Sequence, residues 1–454
     1  MRRRMNLEGL APSRSSPRPV VTLIRAYPRR DGGAAAPCMQ PGPHGAAARS
    51  GGKETIVRVT HVHSSLVAPL GGAEAYVMTL ASAQAARGHS VRIVCGAADA
   101  QTVADAAAAG VTVDVRPVWR PYPAHRHGAR VIERLLFHAL DLVGAVATPA
   151  AYRHVQRSSD VVHVHRFQGI GARVLRSRHS AVVHTTHDYG LVDTRSTTVR
   201  DGRWPDRLEW VQRRRAALLW RCARRADVIV FPSERTRARH LELGLPVDET
   251  LLHVVPHGWP RPAGRSRMRQ RSRPRFVFLG KLEGVKGIHL LLRAWELAGI
   301  DGELVIAGDG PERGRVQAAV GRTVTYAGWV DGLEKTALIA SATALVFPSL
   351  WPETFGLVIA ESMLLGRPVV ATHAAAGSLV RDGENGVVSA DTTPAAFAAA
   401  LQRIAEDSAL RRTLARGAAA TARELGFALH VSRIDEEYRV ARETFAAAGP
   451  DGIG

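Results

Sequence analysis

The sequence predicts an α/β protein made of two doubly wound parallel-sheet domains that face a central cleft. Three observations predict it. Short β-branched runs alternate with longer helical patterns from Thr55 onward, the pattern of strands joined by crossover helices. The strand-like runs are almost unbroken in apolar residues, as expected where helices cover both faces of a sheet. The alternation stops in an Arg/Pro/Ser-rich stretch at 260–274 and restarts directly after it. A chain of 454 residues also exceeds what one hydrophobic core usually organises.

Residues 1–53 hold ten Lys/Arg against Glu8 and Asp31, and are rich in Pro, Gly, Ala and Ser. They read as a disordered basic tail. Residues 54–259 read as the first domain. Its strands are expected at Thr55–His61, Val91–Cys95, Val111–Val115, Asp160–His165, Ala181–His187, Asp227–Pro232 and Leu251–Pro256. Helices are expected over 72–87, 129–156, 205–225 and 234–243. After the linker at 260–274, the second domain spans 275–426. Its strands are expected at Arg275–Leu279, Leu304–Ala307, Val324–Ala327, Ala344–Pro348, Pro368–Ala371 and Gly386–Ser389. A last helix within 427–454 is expected to reach back across the hinge to the first domain.

Composition narrows the function classes. Cys38, Cys95 and Cys222 show no metal-ligand or framework spacing, which argues against disulfides and zinc and favours a reducing compartment. The longest apolar stretch, Leu135 to Ala151, is interrupted by His138, Asp141 and Pro149 and falls short of a span of about 20 residues. A cytoplasmic protein is expected, with peripheral contact to the cytoplasmic membrane face as a further reading. The net charge of +20 suits anionic partners. No aromatic–basic interleaving points to nucleic acid. The stretch Trp210 to Arg221 is basic and apolar together, which suits an anionic membrane surface.

The chemistry-bearing residues follow predicted strands. Gly280, Lys281, Lys286 and Gly287 lie just after the first strand of the second domain. Two ammonium groups in a cleft can neutralise a departing diphosphate. Glu353 and Glu361 flank Phe355, Gly356 and Leu357 at an expected helix start. Backbone N–H groups there lack intrahelical partners and suit a phosphate. In the first domain, Gly71 and Gly72 precede Glu74 at another helix start, allowing close backbone approach to a ligand. His163, His165, His184 and His187 cluster at two strand ends, with Asp188 beside them.

The ordered boxes Gly280-Lys281 to Lys286-Gly287, Gly308-Asp309-Gly310-Pro311, Gly328-Trp329-Val330, Phe347-Pro348-Ser349 and Glu353 to Glu361 resemble the family 4 glycosyltransferases of GT-B architecture, which have two Rossmann-like domains. These relate to glycogen synthases, sucrose-phosphate synthases and phosphatidylinositol mannosyltransferases. The resemblance runs from about Ile56 to the C-terminal helix. It implies transfer of a sugar from a nucleotide-diphosphate sugar to an acceptor hydroxyl, of the hexosyltransferase type, with retention of configuration. Lys281 and Lys286 would meet the diphosphate, Glu353 the sugar, Glu361 the ribose, and His187 a sugar hydroxyl. Gly71, Gly72, Asp309, Val330, Phe355, Gly356 and Leu357 would line the donor site. The chain has no Asp-x-Asp motif, so no cofactor and no metal are expected. Lys281 stands where the family usually has Arg, and His257 replaces the Asn of a common Pro-Asn-Gly pattern. The acceptor, whether lipid-linked, polysaccharide or small molecule, is not specified; the loops 119–130 and 189–206 are its expected neighbours. Alternative readings are a nucleotide-sugar epimerase on the same architecture, a degenerate transferase that only hydrolyses its donor, and a basic nucleic-acid- or membrane-binding protein without catalysis.

Overall fold

The computed structural model describes residues 56–122, 130–147, 149–193, 207–246, 248–262, 273–377 and 379–449. The basic tail, most of the linker and most of both expected acceptor loops lie outside the described residues. Among the described residues the strands form two all-parallel sheets. In the first, β1 (Arg58–His63), β2 (Ser90–Cys95), β3 (Thr112–Val115), β4 (Val161–Val164), β5 (Ala181–Thr185), β6 (Val228–Phe231) and β7 (Leu252–Val254) are ordered β3-β2-β1-β4-β5-β6-β7. In the second, β8 (Arg275–Leu279), β9 (Glu303–Ala307), β10 (Val324–Gly328), β11 (Ala344–Phe347), β12 (Val369–Ala371) and β13 (Gly386–Val388) are ordered β10-β9-β8-β11-β12-β13. Winding reverses between β1 and β4, and again between β8 and β11. Such reversals open a crevice beyond the carboxyl ends of the two central strands.

The first strand starts three residues later and ends two residues later than the sequence pattern placed it. Parallel pairing sets the register, with His61 opposite Ile93 on one side and His163 on the other. His61 and His63 look like strand-ending polar residues in the sequence. Both are fully buried; His61 is hydrogen-bonded at both ring nitrogens, which offsets the cost of burying a polar group, whereas His63 bonds through Nδ1 and its Nε2 has only Glu74 at 4.0 Å. The helical stretch expected over 129–156 is a helix only from Val131 to Val146. Pro149 has no N–H to continue it, and two short 3-10 turns follow.

Each sheet is covered on both faces. One face of the first sheet holds Val62, Val164, Leu219, Trp220 and Phe231. Trp351 of the second domain joins this cluster. The other face holds Val59, Tyr76, Leu80 and Val183. The last helix, Phe427–Ala448, buries Val431, Ile434, Tyr438 and Ala441 in that same cluster. It belongs by sequence to the second half but packs on the first sheet. Gly258 makes the crossing possible, since a Cβ there would lie 2.4 Å from the Cβ of His430.

Ile434 is fully buried in this docking face. Ile434→Ala is therefore expected to cost about 2–5 kcal/mol of stability, read as a lowered urea midpoint. An unchanged midpoint would mean that the helix does not dock there in solution.

Candidate functional site

The crevice is built by four loops leaving β1, β4, β8 and β11. After β8 the chain runs through Gly280 and Lys281 into a single 3-10 turn at Gly284–Lys286. It enters the next helix, Ile288–Ala298, at Gly287. Gly287 has φ +77°, and a Cβ there would lie 2.0 Å from the carbonyl oxygen of Pro348. Glycine therefore lets the β8 loop press against the β11 loop. That contact brings Lys286 to Glu353, residues far apart in sequence.

The Lys286 Nζ donates to Glu353 Oε1 at 2.6 Å. Ser349 Oγ donates to the same oxygen at 2.9 Å, and Trp351 Nε1 does so as well. The ammonium also lies 4.7 Å from the centre of the Trp351 ring. Glu353 is buried, and three donors converge on one of its oxygens. Charge-assisted bonds of this kind hold a carboxylate in one orientation. Its Oε2 is given no protein donor among the described residues, so it is the atom available to a ligand hydroxyl.

Residues 354–357 close the site against the first domain. The carbonyl oxygen of Thr354 accepts from Ser233 Oγ at 2.8 Å and Thr236 Oγ1 at 3.0 Å. Thr354 Oγ1 in turn donates to the carbonyl of His187 at 2.8 Å. Gly356, at φ +85°, turns the chain into the helix Leu357–Leu364, whose first N–H groups are free of intrahelical partners. A Cβ on Gly72 would be 3.2 Å from Leu357 Cδ1. The Gly71–Gly72 loop and this helix start thus face each other across the crevice.

Lys281 is exposed and lies within electrostatic reach of Glu74. Glu74 also has Arg166 Nη1 at 3.7 Å and His63 Nε2 at 4.0 Å. Burial alone would raise the Glu74 pKa, but His63, Arg166 and Lys281 together bring it below the ordinary value. Glu361 is buried one turn inside its helix and accepts from Lys335 Nζ at 2.6 Å. Asp309 is exposed; its Oδ1 accepts from the Gly310 N–H at 2.9 Å and shapes its own turn. Val330 is buried in the apolar cluster that includes Phe347 and Phe355. Asp188 accepts from the Gly190 N–H at 2.7 Å and likewise stabilises a turn.

Several of these residues were not singled out from the sequence. Arg166 directly follows His165 at the carboxyl end of β4, the reversal point of the first sheet, and that position was a usable signal. Ser349 and Thr354 lie within the ordered boxes but were given no role, and Lys335 and Trp351 carried no signal, because these roles depend on which loops meet in space.

The histidines form a connected array, buried except for the half-buried His187. His187 Nε2 meets His165 Nδ1 at 3.0 Å, and His165 Nε2 meets His61 Nδ1 at 2.9 Å. His163 bonds Tyr438 and Thr185. His61, His163 and His165 lie close enough to hold a cation, but all six of their ring nitrogens are engaged by protein groups. Burial lowers the pKa of His61, His63, His184 and His430 to about 4. It holds His163, His165, His187 and His257 well below their ordinary value, with repulsion from neighbouring histidines adding to the effect.

Comparison with known proteins finds matching family models over most of the described chain. Residues 70–260 match the family model described as Glycosyltransferase Family 4, and residues 273–407 the model described as Glycosyl transferases group 1. The phosphatidyl-myo-inositol mannosyltransferase of Mycobacterium leprae (strain TN) is 28% identical over 84% of this chain and 94% of its own length. A D-inositol 3-phosphate glycosyltransferase of Catenulispora acidiphila is 31% identical over 63% of this chain and 73% of its own. The D-rhamnosyltransferase WbpZ of Pseudomonas aeruginosa is 34% identical, but over only 44% of this chain and 52% of its own length. Against several such curated relatives the chain spans about half their length. Among solved structures, a sucrose-phosphate synthase from Thermosynechococcus elongatus aligns with TM-score 0.63 at 21% identity, covering 86% of this chain and all of that one. The Anabaena protein Alr3699/HepE, solved with UDP and glucose, aligns with TM-score 0.60 at 17% identity, covering 84% and 99%. These two likenesses concern the fold.

Two expectations follow. Gly287→Ala would push the β8 and β11 loops apart and is expected to lower the urea midpoint while circular dichroism still shows a folded protein; an unchanged midpoint would refute the close contact. The buried histidines bind protons more readily when unfolded, with an ordinary pKa of 6.5, than when folded, at about 4 for four of them. Their contribution is therefore complete above pH 6.5 and is lost as pH falls toward 4. Urea midpoints should drop between pH 7 and pH 5, and drop less in a variant with His184→Asn.

Proposed function

This chain belongs to the glycosyltransferases of family 4 and group 1, and from that premise we propose that it transfers a sugar from a nucleotide-diphosphate sugar to an acceptor hydroxyl. One observation carries the reading. Lys286 and Glu353 meet at 2.6 Å in the crevice, directly beside the Thr354 contact to His187. A cation, a hydrogen-bond acceptor and a free helix start therefore converge where two domains close.

In this reading the diphosphate lies against the first turn of the helix at Leu357. Its charge is balanced by Lys286 and Lys281, and by that helix's N–H groups. Lys286 keeps two further N–H bonds for phosphate oxygens while one holds Glu353. The Oε2 of Glu353 accepts from hydroxyls of the transferred sugar. His187 accepts from another hydroxyl of that sugar. Glu361, held by Lys335, accepts from the ribose diol. Val330, Asp309 and the Gly71–Gly72 loop line the rest of the donor site. The acceptor hydroxyl attacks on the face from which the diphosphate departs, so configuration is retained. Its proton passes to the leaving phosphate oxygen. Fixed protein cations do the electrostatic work that a divalent ion does elsewhere. The carboxylates Glu74, Glu353 and Glu361 each already have a cation partner, which disfavours their use as a metal cage.

The acceptor side includes a surface suited to an anionic membrane. The helix Trp210–Ala223 buries Leu219 and Trp220 but leaves Trp210 and Val211 exposed beside Arg213 and Arg214. The helix Val131–Val146 exposes Ile132 and Leu135. Apolar side chains next to arginines partition into the headgroup region of acidic lipid. No helix among the described residues is long and apolar enough to cross a membrane.

UDP-, GDP- and ADP-sugars should be screened for thermal stabilisation. A true donor at 100 times its dissociation constant adds about 2.7 kcal/mol. Lys286→Ala is expected to lower kcat about 100-fold or more, and turnover near that of the native protein would refute its role. Sedimentation with vesicles rich in anionic lipid should capture the protein, and replacing Trp210 and Ile132 together with Ser should release it. Equal capture by neutral vesicles, or no capture at moderate salt, would contradict the membrane contact.

A further inference from the structure

We infer that Asp435, acting through Gln84, His61 and His165, sets the tautomer of His187, so that its Nδ1 meets the crevice as a hydrogen-bond acceptor. The value of this to the reaction rests on the donor reading above; the tautomer itself does not.

The chain of contacts is continuous. Asp435 Oδ1 accepts from Gln84 Nε2 at 3.0 Å. Gln84 Oε1 meets His61 Nε2 at 2.9 Å. His61 Nδ1 meets His165 Nε2 at 2.9 Å, and His165 Nδ1 meets His187 Nε2 at 3.0 Å. Gln84, His61 and His165 are buried, so water does not compete for these atoms.

A carboxylate has only acceptors, so the Gln84 amide must turn its N–H toward Asp435 and its oxygen toward His61. His61 must then carry its proton on Nε2 and leave Nδ1 bare. His165 must donate from Nε2 to that bare nitrogen, which leaves its own Nδ1 bare. His187 must donate from Nε2 to His165, which again leaves Nδ1 bare. No protein partner for His187 Nδ1 is found among the described residues. The argument needs one proton per ring, and burial supplies that condition by disfavouring the charged forms.

Without the carboxylate the row has a second arrangement of equal bond count. The amide flips, its N–H faces His61, and every ring changes tautomer. His187 would then show an N–H to the crevice and compete with, rather than accept from, a sugar hydroxyl. Asp435 selects between these two arrangements. It is well placed to remain ionised: burial opposes its charge, but contacts from His89, Gln84 and Arg87 outweigh that and lower its pKa. Asp435 sits on the helix Phe427–Ala448, so the last helix of the chain acts on the site without touching the ligand.

The test is long-range proton–nitrogen correlation on the 15N-histidine protein without ligand, with the His187 signals identified by their loss in His187→Gln. The native protein is expected to show Nε2–H and an unprotonated Nδ1 on His187. Gln84→Met and Asp435→Leu, one at the buried middle and one near the surface, should each give a mixture with Nδ1–H. Both should lower kcat roughly tenfold, as for loss of one hydrogen bond, with affinity for the free nucleoside diphosphate unchanged. Nδ1–H on His187 in the native protein, or no tautomer change in either disrupted variant, would overturn the inference. Failure of any nucleotide sugar to bind would instead count against the proposed function and leave the tautomer result standing.

Discussion

The whole site depends on the contact between Lys286 and Glu353. Lys286 finds its carboxylate only on the other loop, while Glu353 is also held by Ser349 and Trp351 of its own loop. The β8 loop reaches the β11 loop only because those strands are neighbours at the reversal of the second sheet, and because Gly287 allows the chains to touch. Sheet topology thereby becomes local electrostatics: an ammonium and a carboxylate, kept oriented by Ser349 and Trp351, at the point where an open sheet binds ligands.

The first domain completes the arrangement by the same geometric rule. Its reversal lies between β1 and β4, which places the Gly71–Gly72 loop and Arg166 at one crevice wall. Thr354 links the walls by accepting from Ser233 and Thr236 and donating to His187. The last helix, Phe427–Ala448, belongs to one half by sequence and to the other by packing. It is tied to the first domain through buried side chains such as Tyr438 and His430, the latter bonded to Tyr76 and to the carbonyl of Pro256.

Much of this was legible in the sequence. The strand–helix alternation and the restart after residue 274 gave both sheets, because fully buried parallel strands leave apolar runs that survive without any structure. The loops carrying Lys286, Glu353 and Glu361 were legible for a similar reason: Gly and Pro punctuate strand ends, and charged residues there stand out. Partnerships were not legible. Lys335 lies on a helix with ordinary surface composition, and only the fold brings it to Glu361. The histidines were readable as strand-end residues but not as a connected row, since connection depends on cross-strand register and on Gln84 and Asp435 arriving from two helices. Asp309 is exposed and also accepts from the Gly310 N–H in its own turn, a local role that the Gly-Asp-Gly spacing serves as readily as ligand contact.

The central claim is that a nucleoside diphosphate is held by fixed protein donors at the paired crevice walls. Calorimetric titration of UDP, GDP and ADP in the presence of a chelator, into the native protein and Lys286→Ala, tests it most directly. One of the three is expected to bind the native protein with the chelator present and to lose at least tenfold in affinity in the variant. Binding that needs an added divalent ion, or that is the same in both proteins, would contradict it.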